Sequence, residues 1–527
     1  MTGRSIIRNS LAVSFGSIFS VFTALGATVL IAGTYGLSAE ADAYFVAIIL
    51  SNLANMILQS SVSPVLVPAI SQANFKGAHI AGDRLMQTLL SLGLAVGLVL
   101  FTILSLGAAP IIELLAPGFD EETSQIATQL FRYACVGIAL AFPSEVLRSY
   151  LNTKGAFGWP AAAEALRTGS IIVSIVVLSA GWGIRAAIIG FALGHILQFA
   201  VLLVLAIAMG LKPKVAFDIR DPHLRSFLHQ LRYPIMGVSF ITAPFLLQRF
   251  LLSMLEPGTL AMFSLAQQIM FMLLALTLKG VSTATHPVVS RHAAENDADS
   301  MNDTLVRGLK LSALLGCTAF AFAAILNWDA FALIGGFRSF TNEDAVAISF
   351  IFLVLSSALP VNGLAQILRL PLYAQNNARV PAWHMVVMGI IHVLAQLALF
   401  RFYGVFGIAV AQAGSVWSIV ITCFFLLPAG SKSVVPRSAP TLVKIVLACL
   451  IFGFLAYRIQ PALSPLSHDS GILVRLVWMS ALTGATTVIA LIVFRLCIMA
   501  DYEDVFGVRD YKALIARIAA RFVRPTA

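Results

Sequence analysis

The clearest pattern along the chain is a succession of long apolar runs, separated by short stretches that are rich in charge, proline or glycine. Each run reaches about 20 residues, the length that an α-helix needs to cross the hydrocarbon core of a bilayer. The pattern predicts about fourteen transmembrane helices, near residues 10–35, 43–72, 86–110, 126–150, 160–181, 186–209, 229–254, 260–288, 309–335, 346–375, 382–402, 405–427, 442–460 and 473–498.

The composition supports a membrane protein. Of the 527 residues, 59% are hydrophobic and only 11% are charged, and the mean hydropathy is +0.91. Fourteen spans use most of the apolar residues and leave only short connections, so no sizeable soluble domain fits. The sequence therefore predicts an all-α integral membrane protein.

The net charge of +10 is distributed unevenly among the predicted loops. With the N-terminus inside the cell, 25 of the 34 lysines and arginines fall in cytoplasmic segments and five fall in outer segments. Such an excess of positive charge inside is typical of multi-pass proteins. It predicts that both termini are cytoplasmic, and it explains the basic charge without a nucleic-acid partner.

Residue matches at an offset of 221 indicate an internal repeat. The matches are Leu147-Arg148 with Leu368-Arg369, Pro160-Ala161 with Pro381-Ala382, and Gly183 with Gly404. Because each repeat holds an even number of spans, both enter the membrane in the same direction and enclose a central cavity between them. We predict an N-lobe of six helices at 1–225, a C-lobe of six at 226–440, two further helices at 441–500, and a cytoplasmic amphipathic tail at 501–527.

Polar side chains form stripes on two of the predicted helices. Asn52, Asn55 and Gln59 share one face of the second helix, and Gln268 and Lys279 share one face of the eighth. Lipid does not solvate these groups, so the stripes predict either a wet cavity or hydrogen bonds that hold the bundle together. The charge of Lys279 favours the cavity.

Four further charged residues lie within predicted helices. Arg249 lies in the seventh, where a charge at membrane depth costs about 2.5 to 3.5 kcal/mol on insertion scales, so a function or a partner must offset it. Glu145 and Arg148 lie near the cytoplasmic end of the fourth helix, and Arg369 near that of the tenth. The spacing of Glu145 and Arg148 favours a structural ion pair; a cytoplasmic gate formed with Arg369 is the second interpretation.

The motifs of several enzyme classes are missing from the sequence. It has no Gly-x-x-x-x-Gly-Lys-Ser/Thr loop and no long outer loop that could form a catalytic domain. The five cysteines lie in apolar runs without the spacing of a disulfide framework or a metal site. The sequence thus predicts a transporter with no catalytic residues, no metal and no cofactor.

Several short motifs resemble those of one family, the MurJ/MviN lipid II flippases of the multidrug/oligosaccharidyl-lipid/polysaccharide (MOP) exporter superfamily. They are Ala41-Asp42-Ala43-Tyr44-Phe45-Val46-Ala47, Val67-Pro68, Ala116-Pro117-Gly118-Phe119, and Tyr373-Ala374-Gln375 followed by Arg379-Val380-Pro381. The resemblance implies two six-helix lobes plus two extra helices. It also implies outward movement of undecaprenyl-diphosphate-linked sugars by alternating access, driven by an H⁺ or Na⁺ gradient or by the membrane potential.

The chain departs from the family at positions that are usually charged. The family's Phe-Ser-Arg-x-x-Gly-x-x-Arg-Asp corresponds to Phe19-Ser20-Val21, then Ala24, then Ala27-Thr28; its Asn-Leu-x-Arg-Arg to Asn52-Leu53-Ala54-Asn55-Met56; and its Ala-Asp-Arg to Ala266-Gln267-Gln268. A diphosphate in a cavity of low dielectric constant needs cations or many donors. We therefore expect Lys279 and Arg249 to supply charge and the polar residues to donate hydrogen bonds. The candidate substrate-binding set is Lys279, Arg249, Asn52, Asn55, Gln59, Gln268 and Asp42.

Three hypotheses about function follow. The first is a flippase in the bacterial inner membrane that translocates a polyprenyl-diphosphate-linked glycan, either a lipid II-like peptidoglycan precursor for the cell wall or an exopolysaccharide repeat unit for export. The second is an ion-coupled exporter of small amphipathic compounds, similar to MATE transporters. The third is a non-transporting scaffold that binds glycan-synthesis enzymes. The expected partners are the undecaprenyl-linked glycan lipid and membrane lipids.

Overall fold

The computed structural model describes residues 3–447, except for 76–78, 157, 279–280, 282–284, 287, 290–291, 294, 296, 336–341 and 375–378. Side chains are described from Phe19 onward, except those of these gaps and of residues 71–75, 79–82, 325–330, 332–335, 342, 373–374, 379 and 429. The predicted last two helices near 442–460 and 473–498 and the tail at 501–527 lie wholly or largely outside the described residues. Lys279 lies outside them as well.

The described part of the chain is helical and contains no strand. Its helices are α1 (Gly3–Tyr35), α2 (Ala39–Ala47), α3 (Ile49–Phe75), α4 (His79–Leu106), α5 (Ala108–Leu115), α6 (Glu121–Thr153), α7 (Gly158–Trp182), α8 (Arg185–Ala208), α9 (Pro222–Ser253), α10 (Thr259–Thr277), α11 (Ala298–Gly335), α12 (Asn342–Ser356), α13 (Leu359–Ala374) and α14 (Arg379–Leu426). Within the described residues, ten helices are long and apolar enough to cross a membrane. The prediction of an all-α membrane protein is confirmed; the count of fourteen stays a prediction.

Polar residues at several helix starts explain where these helices begin. Ser38 accepts a hydrogen bond from the N–H of Ala41 at the start of α2, and Asp120 accepts one from Thr123 at the start of α6. Asp221 does the same for α9, whose first residue is Pro222. These side chains satisfy backbone donors that have no partner within the helix.

Backbone conformation supports the internal repeat. Gly183, between α7 and α8, has a φ of 53°, and Gly404, which divides α14 into two helical parts, has a φ of 55°. A second pair lies at nearly the same offset: Gly36 after α1 has a φ of 67°, and Gly258 before α10 has a φ of 88°. Residues other than glycine rarely adopt these φ angles. Both repeats therefore turn at glycine at equivalent places.

The chain divides into two compact units. The first contains 1–272, 334–344 and 379–411, and the second contains 273–333, 345–378 and 412–527. These units are defined by contacts, whereas the lobes at 1–225 and 226–440 are defined by the repeat, and those lobe boundaries stay a prediction.

The first unit packs helices closely through small residues and a large apolar core. Gly97 of α4 lies against the carbonyl oxygen of Ala139 in α6, and Gly194 of α8 lies against the backbone of Arg167 in α7. Small residues allow such close approach of helices in membranes, where apolar burial alone does not drive association. The core combines buried side chains of α3, α4, α6, α7, α8 and α9, among them Leu66 and Phe227.

The second unit contains a smaller described core. Ala313 and Cys317 of α11 pack with Ile445 of the helical residues 434–447. The ion pair between Arg437 and Asp303, 2.5 Å long and half-exposed, holds the same two segments together at their ends.

Candidate functional site

A cavity of about 290 Å³ lies within the first unit, between α1, α2, α3, α7, α8, α9 and α10. Most of its lining is apolar, but polar side chains enter from several helices. These are Thr28 from α1, Tyr44 from α2, Asn52 from α3, Arg167 and Thr168 from α7, Arg249 from α9, and Gln267 and Gln268 from α10. A mainly apolar cavity with a few convergent polar groups is typical of a binding site for a small molecule or a headgroup.

The predicted binding residues divide between this cavity and its surroundings. Asn52, Gln268 and Arg249 line the cavity. Asn55 lies behind it, where its amide donates to the carbonyl of Ser51 and is 3.5 Å from Nε2 of His195. Gln59 is exposed farther along α3 and is not part of the lining. The three polar residues that share a face of α3 therefore lie in three different environments: the cavity, a contact with His195, and an exposed surface.

Arg249 is a buried cation held in a fixed place. Its side chain is 6% exposed, and Nη1 donates a hydrogen bond of 2.5 Å to Oγ of Ser264, which in turn donates to the carbonyl of Leu260. Within the described part of the chain its Nε has no hydrogen-bond partner. Asp42 lies near enough to attract it electrostatically. One donor of a buried guanidinium thus remains available beside the cavity.

Asp42 joins α2 to the start of α10. Its two carboxylate oxygens accept hydrogen bonds of 2.6 Å from the backbone N–H groups of Gly258 and Ala261. The carboxylate is 3% exposed and lies at a helix N-terminus, where a negative charge is stabilised. We call this contact the Asp42 clasp. Its oxygens are engaged with backbone, and Asp42 does not belong to the cavity lining.

The predicted gating residues Glu145 and Arg148 belong to a larger charge network between α6 and α7. Nε of Arg148 lies 3.2 Å from Glu145, and Nη1 of Arg148 lies 3.5 Å from Glu164. Glu164 also lies 3.8 Å from Nη2 of Arg167. One end of this network is Glu145, whose Oε1 is buried without a partner among the described residues. The other end is the cavity, which Arg167 lines.

Arg369, the third predicted gating residue, lies on α13 in the second unit. It is partly buried, and two of its guanidinium nitrogens, Nε and Nη2, have no hydrogen-bond partner within the described residues. A role in gating stays a prediction for all three residues.

Sequence reasoning did not place Arg167 and Gln267 in the cavity. Arg167 forms an ion pair with Glu164, and its side chain also lines the cavity. Gln267 is 5% exposed, and its amide donates to Oε1 of Gln248 at 3.2 Å. Helical spacing shows which residues share a face, but not which face of α7 meets α1 and α8.

Of the seven positions at which the resemblance expects charged residues, five line the same cavity. Ala27 and Thr28 occupy two of them on α1, Met56 occupies one on α3, and Gln267 and Gln268 occupy two on α10. All five side chains are neutral. The described part of the cavity therefore has two cations, Arg167 and Arg249, which come from α7 and α9 instead.

Comparisons with known proteins agree with this fold. The family model described as "Lipid II flippase MurJ" matches residues 31–482. A probable lipid II flippase MurJ of Thermotoga maritima is 25% identical over 455 residues, which cover 85% of this chain and 90% of that protein. The lipid II flippase MurJ of Burkholderia cenocepacia is 23% identical over 418 residues, covering 76% and 79% of the two chains.

Two solved structures show the shared fold. A lipid II flippase MurJ in an inward closed conformation aligns with a TM-score of 0.77 and 21% identity, covering 93% of this chain and 99% of that one. An inward-facing multidrug resistance MATE family transporter of the MOP superfamily aligns with a TM-score of 0.65 and 16% identity, covering 79% and 95%. The sequence match over most of the chain and the structural likeness point in the same direction.

Proposed function

This chain belongs to the lipid II flippase MurJ family, whose members are membrane transporters and not enzymes, and from that premise we propose that it translocates a lipid-linked glycan precursor across the bacterial inner membrane. The observation that carries the proposal is the cavity in the first unit, which holds arginines from two helices among amide and hydroxyl donors. A polyprenyl chain dissolves in the bilayer, whereas a diphosphate and its sugars do not. Transport of such a lipid needs a polar, cationic environment at membrane depth for the headgroup alone.

The size of the cavity indicates which part of the substrate it binds. A volume of about 290 Å³ is at the lower limit of ligand-binding cavities. It suits a diphosphate and an adjoining part of a sugar and is too small for a whole glycan headgroup. We infer that in this state the cavity receives the phosphate end of the lipid, and that a larger opening accompanies transport.

The Asp42 clasp supports an alternating-access mechanism. In the predicted orientation, α1 ends and α2 and α10 begin at the outer side of the membrane. The clasp therefore closes the outer end of the cavity in this state. Release of the substrate outward requires the N-terminus of α10 to leave Asp42, and this step is the natural point for coupling to an H⁺ or Na⁺ gradient or to the membrane potential.

The neutral side chains around the cavity bear on which glycan lipid is carried. Five positions that the family usually fills with charged residues are occupied here by Ala27, Thr28, Met56, Gln267 and Gln268. We propose that the substrate is a specialised polyprenyl-diphosphate precursor, such as an exopolysaccharide repeat unit. A cavity built around different cations then meets a headgroup that differs from the common peptidoglycan precursor.

The same loss of charge favours a second candidate function, ion-coupled export of small amphipathic compounds. A mostly apolar cavity of this size accommodates a drug-sized molecule, and the fold is shared with MATE transporters. This candidate predicts that cells expressing the chain accumulate less of a cationic dye. The scaffold hypothesis predicts instead that transport-dead variants rescue a deletion.

Reconstitution tests the first proposal. Purified full-length chain is placed in vesicles that contain a fluorescent lipid-linked glycan, and outward movement is measured by its accessibility to an added glycosidase. We expect translocation by the wild type, loss with Arg249→Gln, and no change with Arg185→Gln, which removes an exposed arginine outside the cavity.

Absence of wild-type translocation for peptidoglycan and exopolysaccharide precursors alike, together with dye export, would favour the second candidate. Lys279→Ala tests the predicted role of Lys279 in the same vesicles.

A further inference from the structure

The two cations of the cavity differ in how firmly they are held. Arg249 donates a short hydrogen bond to Ser264 and is almost completely buried. Arg167 has an 18% exposed side chain, and its ionic contact with Glu164 is 3.8 Å long. Charge-assisted hydrogen bonds measure about 2.7 to 2.9 Å, so this contact is loose. Arg167 can therefore change partners at low cost, whereas Arg249 cannot.

The two cations also lie at different distances from the ends of their helices. Arg249 is four residues before α9 ends at Ser253, or about 6 Å along the axis. Arg167 is 15 residues before α7 ends at Trp182, or about 22 Å. In the predicted orientation both helices end at the outer side, so Arg167 lies deeper in the membrane than Arg249, in contact with the α6–α7 charge network. A substrate that enters from the predicted cytoplasmic side meets Arg167 first.

Glu164 is shared between two arginines. It lies 3.5 Å from Arg148 and 3.8 Å from Arg167. Breaking an isolated buried ion pair is costly because it leaves one charge uncompensated. Here the departure of Arg167 leaves Glu164 paired with Arg148, while Arg167 gains the anion that displaced Glu164. Both charges stay compensated throughout the exchange.

The backbone around Arg167 is fixed, so that only its side chain needs to move. Gly194 of α8 leaves no room between α8 and the backbone of Arg167, since a Cβ at Gly194 would lie 3.1 Å from the Arg167 carbonyl carbon. Thr168 follows on α7, and its hydroxyl lies 2.6 Å from that of Thr23 in α1. These contacts position α7 between its neighbours and keep the guanidinium within reach of the cavity.

Resting on the proposed function, we propose that Arg167 binds a phosphate group of the lipid-linked substrate, and that Glu164 is its exchange partner when the cavity is empty. A planar guanidinium binds phosphate through two parallel hydrogen bonds, which an ammonium group cannot reproduce. On binding, Glu164 turns fully to Arg148. Occupancy of the cavity is thereby transmitted to Glu145 and Arg148 through one shared carboxylate.

The proposal makes opposite predictions for the two partners of the ion pair. The probe is undecaprenyl diphosphate, and its dissociation constant for the full-length chain in detergent is measured by native mass spectrometry at fixed salt. We expect Arg167→Gln to weaken binding about tenfold, the loss of one good charge-assisted interaction. Arg167→Lys, which keeps the charge, is expected to weaken it about threefold. Glu164→Gln removes the competing anion and is expected to tighten binding about threefold.

Two controls and one double variant complete the test. Arg185→Gln removes an exposed positive charge from α8, and Gly169→Ala alters α7 where nothing lies within 4 Å of the new methyl group; both are expected to bind as the wild type. The double variant Glu164→Gln/Arg167→Gln is expected to bind like Arg167→Gln alone, because the competing anion matters only while the arginine is present.

The outcomes separate this inference from the proposed function. The inference fails if Arg167→Gln binds the probe as the wild type does. It also fails if the single variants Glu164→Gln and Arg167→Gln both weaken binding, because the ion pair is then structural. Neither conclusion depends on the result of the transport assay. If the binding constants follow the expected order but the vesicles show no translocation, the phosphate site stands and the proposed function fails. A wild type without affinity for the probe contradicts both.

Discussion

Buried carboxylates at two places in the first unit are held in different ways. Both oxygens of Asp42 accept hydrogen bonds of 2.6 Å from backbone N–H groups of α10. Glu145 lies 3.2 Å from Arg148 through one oxygen, while its other oxygen has no partner among the described residues. Backbone donors cannot rotate away, whereas an arginine can. The contacts of Asp42 are therefore fixed by the backbone, whereas those of Glu145 depend on a side chain that can change partners.

This difference fits the alternating-access mechanism proposed above. A closure that must stay shut until the substrate is loaded is best made from donors whose positions the fold determines. A network that senses entry needs partners of similar strength, so that one anion can replace another. Single substitutions at the two places separate these two behaviours.

The largest effect is expected from breaking the clasp. Asp42→Asn replaces one acceptor oxygen with an NH₂ group that faces a backbone donor. It thus loses one charge-assisted hydrogen bond and leaves a buried N–H unpaired, at a cost of about 3 kcal/mol. We expect a clear drop in the melting temperature of the detergent-solubilised chain and loss of translocation. Glu40→Gln is the matched control, since Glu40 lies in the same first turn of α2 but is exposed. An equal drop for both variants would contradict a specific clasp.

A somewhat smaller effect is expected from moving the helix that carries Arg167. Gly194→Val adds a side chain where α8 touches the α7 backbone, and overpacking of this kind costs about 1 to 3 kcal/mol. The melting temperature should fall, and binding of undecaprenyl diphosphate should weaken because the guanidinium shifts with α7. Gly169→Ala on α7 itself provides the comparison, and its melting temperature should stay at the wild-type value. Wild-type binding by Gly194→Val would show that the position of α7 does not matter.

Glu145→Gln is expected to cost less than Asp42→Asn, although both carboxylates are buried. Arg148 keeps Glu164 as a second partner, and Glu145 already has one oxygen without a hydrogen bond among the described residues. We expect a loss of about 1 kcal/mol, the usual size for a single hydrogen bond. Melting temperatures of the two variants, measured in the same detergent, check the order. A larger loss at Glu145 would reverse the comparison.

The sequence was sufficient to predict the helical membrane fold and the matched glycine turns of the two repeats. Gly183 and Gly404 were matched by sequence alone, and the structure gives them nearly equal φ angles. Asn52, Gln268 and Arg249 of the candidate binding set line one cavity, and their role in binding stays a prediction. Each of these predictions depends on periodicity or on the cost of polar groups in lipid, both of which are local properties of the sequence.

Partners on other helices could not be predicted in this way. Asp42 and Gly258 are more than two hundred residues apart in the sequence. No local pattern shows that the Asp42 carboxylate contacts the backbone of α10. Asn55 and Gln59 share a helical face with Asn52 but not its environment, because α3 passes from the cavity to a buried cluster and then to an exposed surface. These contacts depend on how the helices pack against one another. The sequence of a single helix does not determine that packing.

The smallest effect is expected at Asp120, which sharpens the comparison by separating backbone contact from burial. Like Asp42, it accepts hydrogen bonds at a helix start, here from the side chain and the N–H of Thr123, which lower the pKa of its carboxyl, but it is exposed. Because the folded-state pKa is lowered, the stabilisation is present above the ordinary pKa and is lost as the pH falls through the folded value. Asp120→Ala should therefore lower the melting temperature slightly at neutral pH and not at strongly acidic pH. Asp120→Asn, which still caps the helix, should retain most of the stability and lose the dependence on pH. If Asp120→Ala lowered the melting temperature at neutral pH as much as Asp42→Asn does, backbone contact alone, without burial, would account for the strength of the Asp42 clasp.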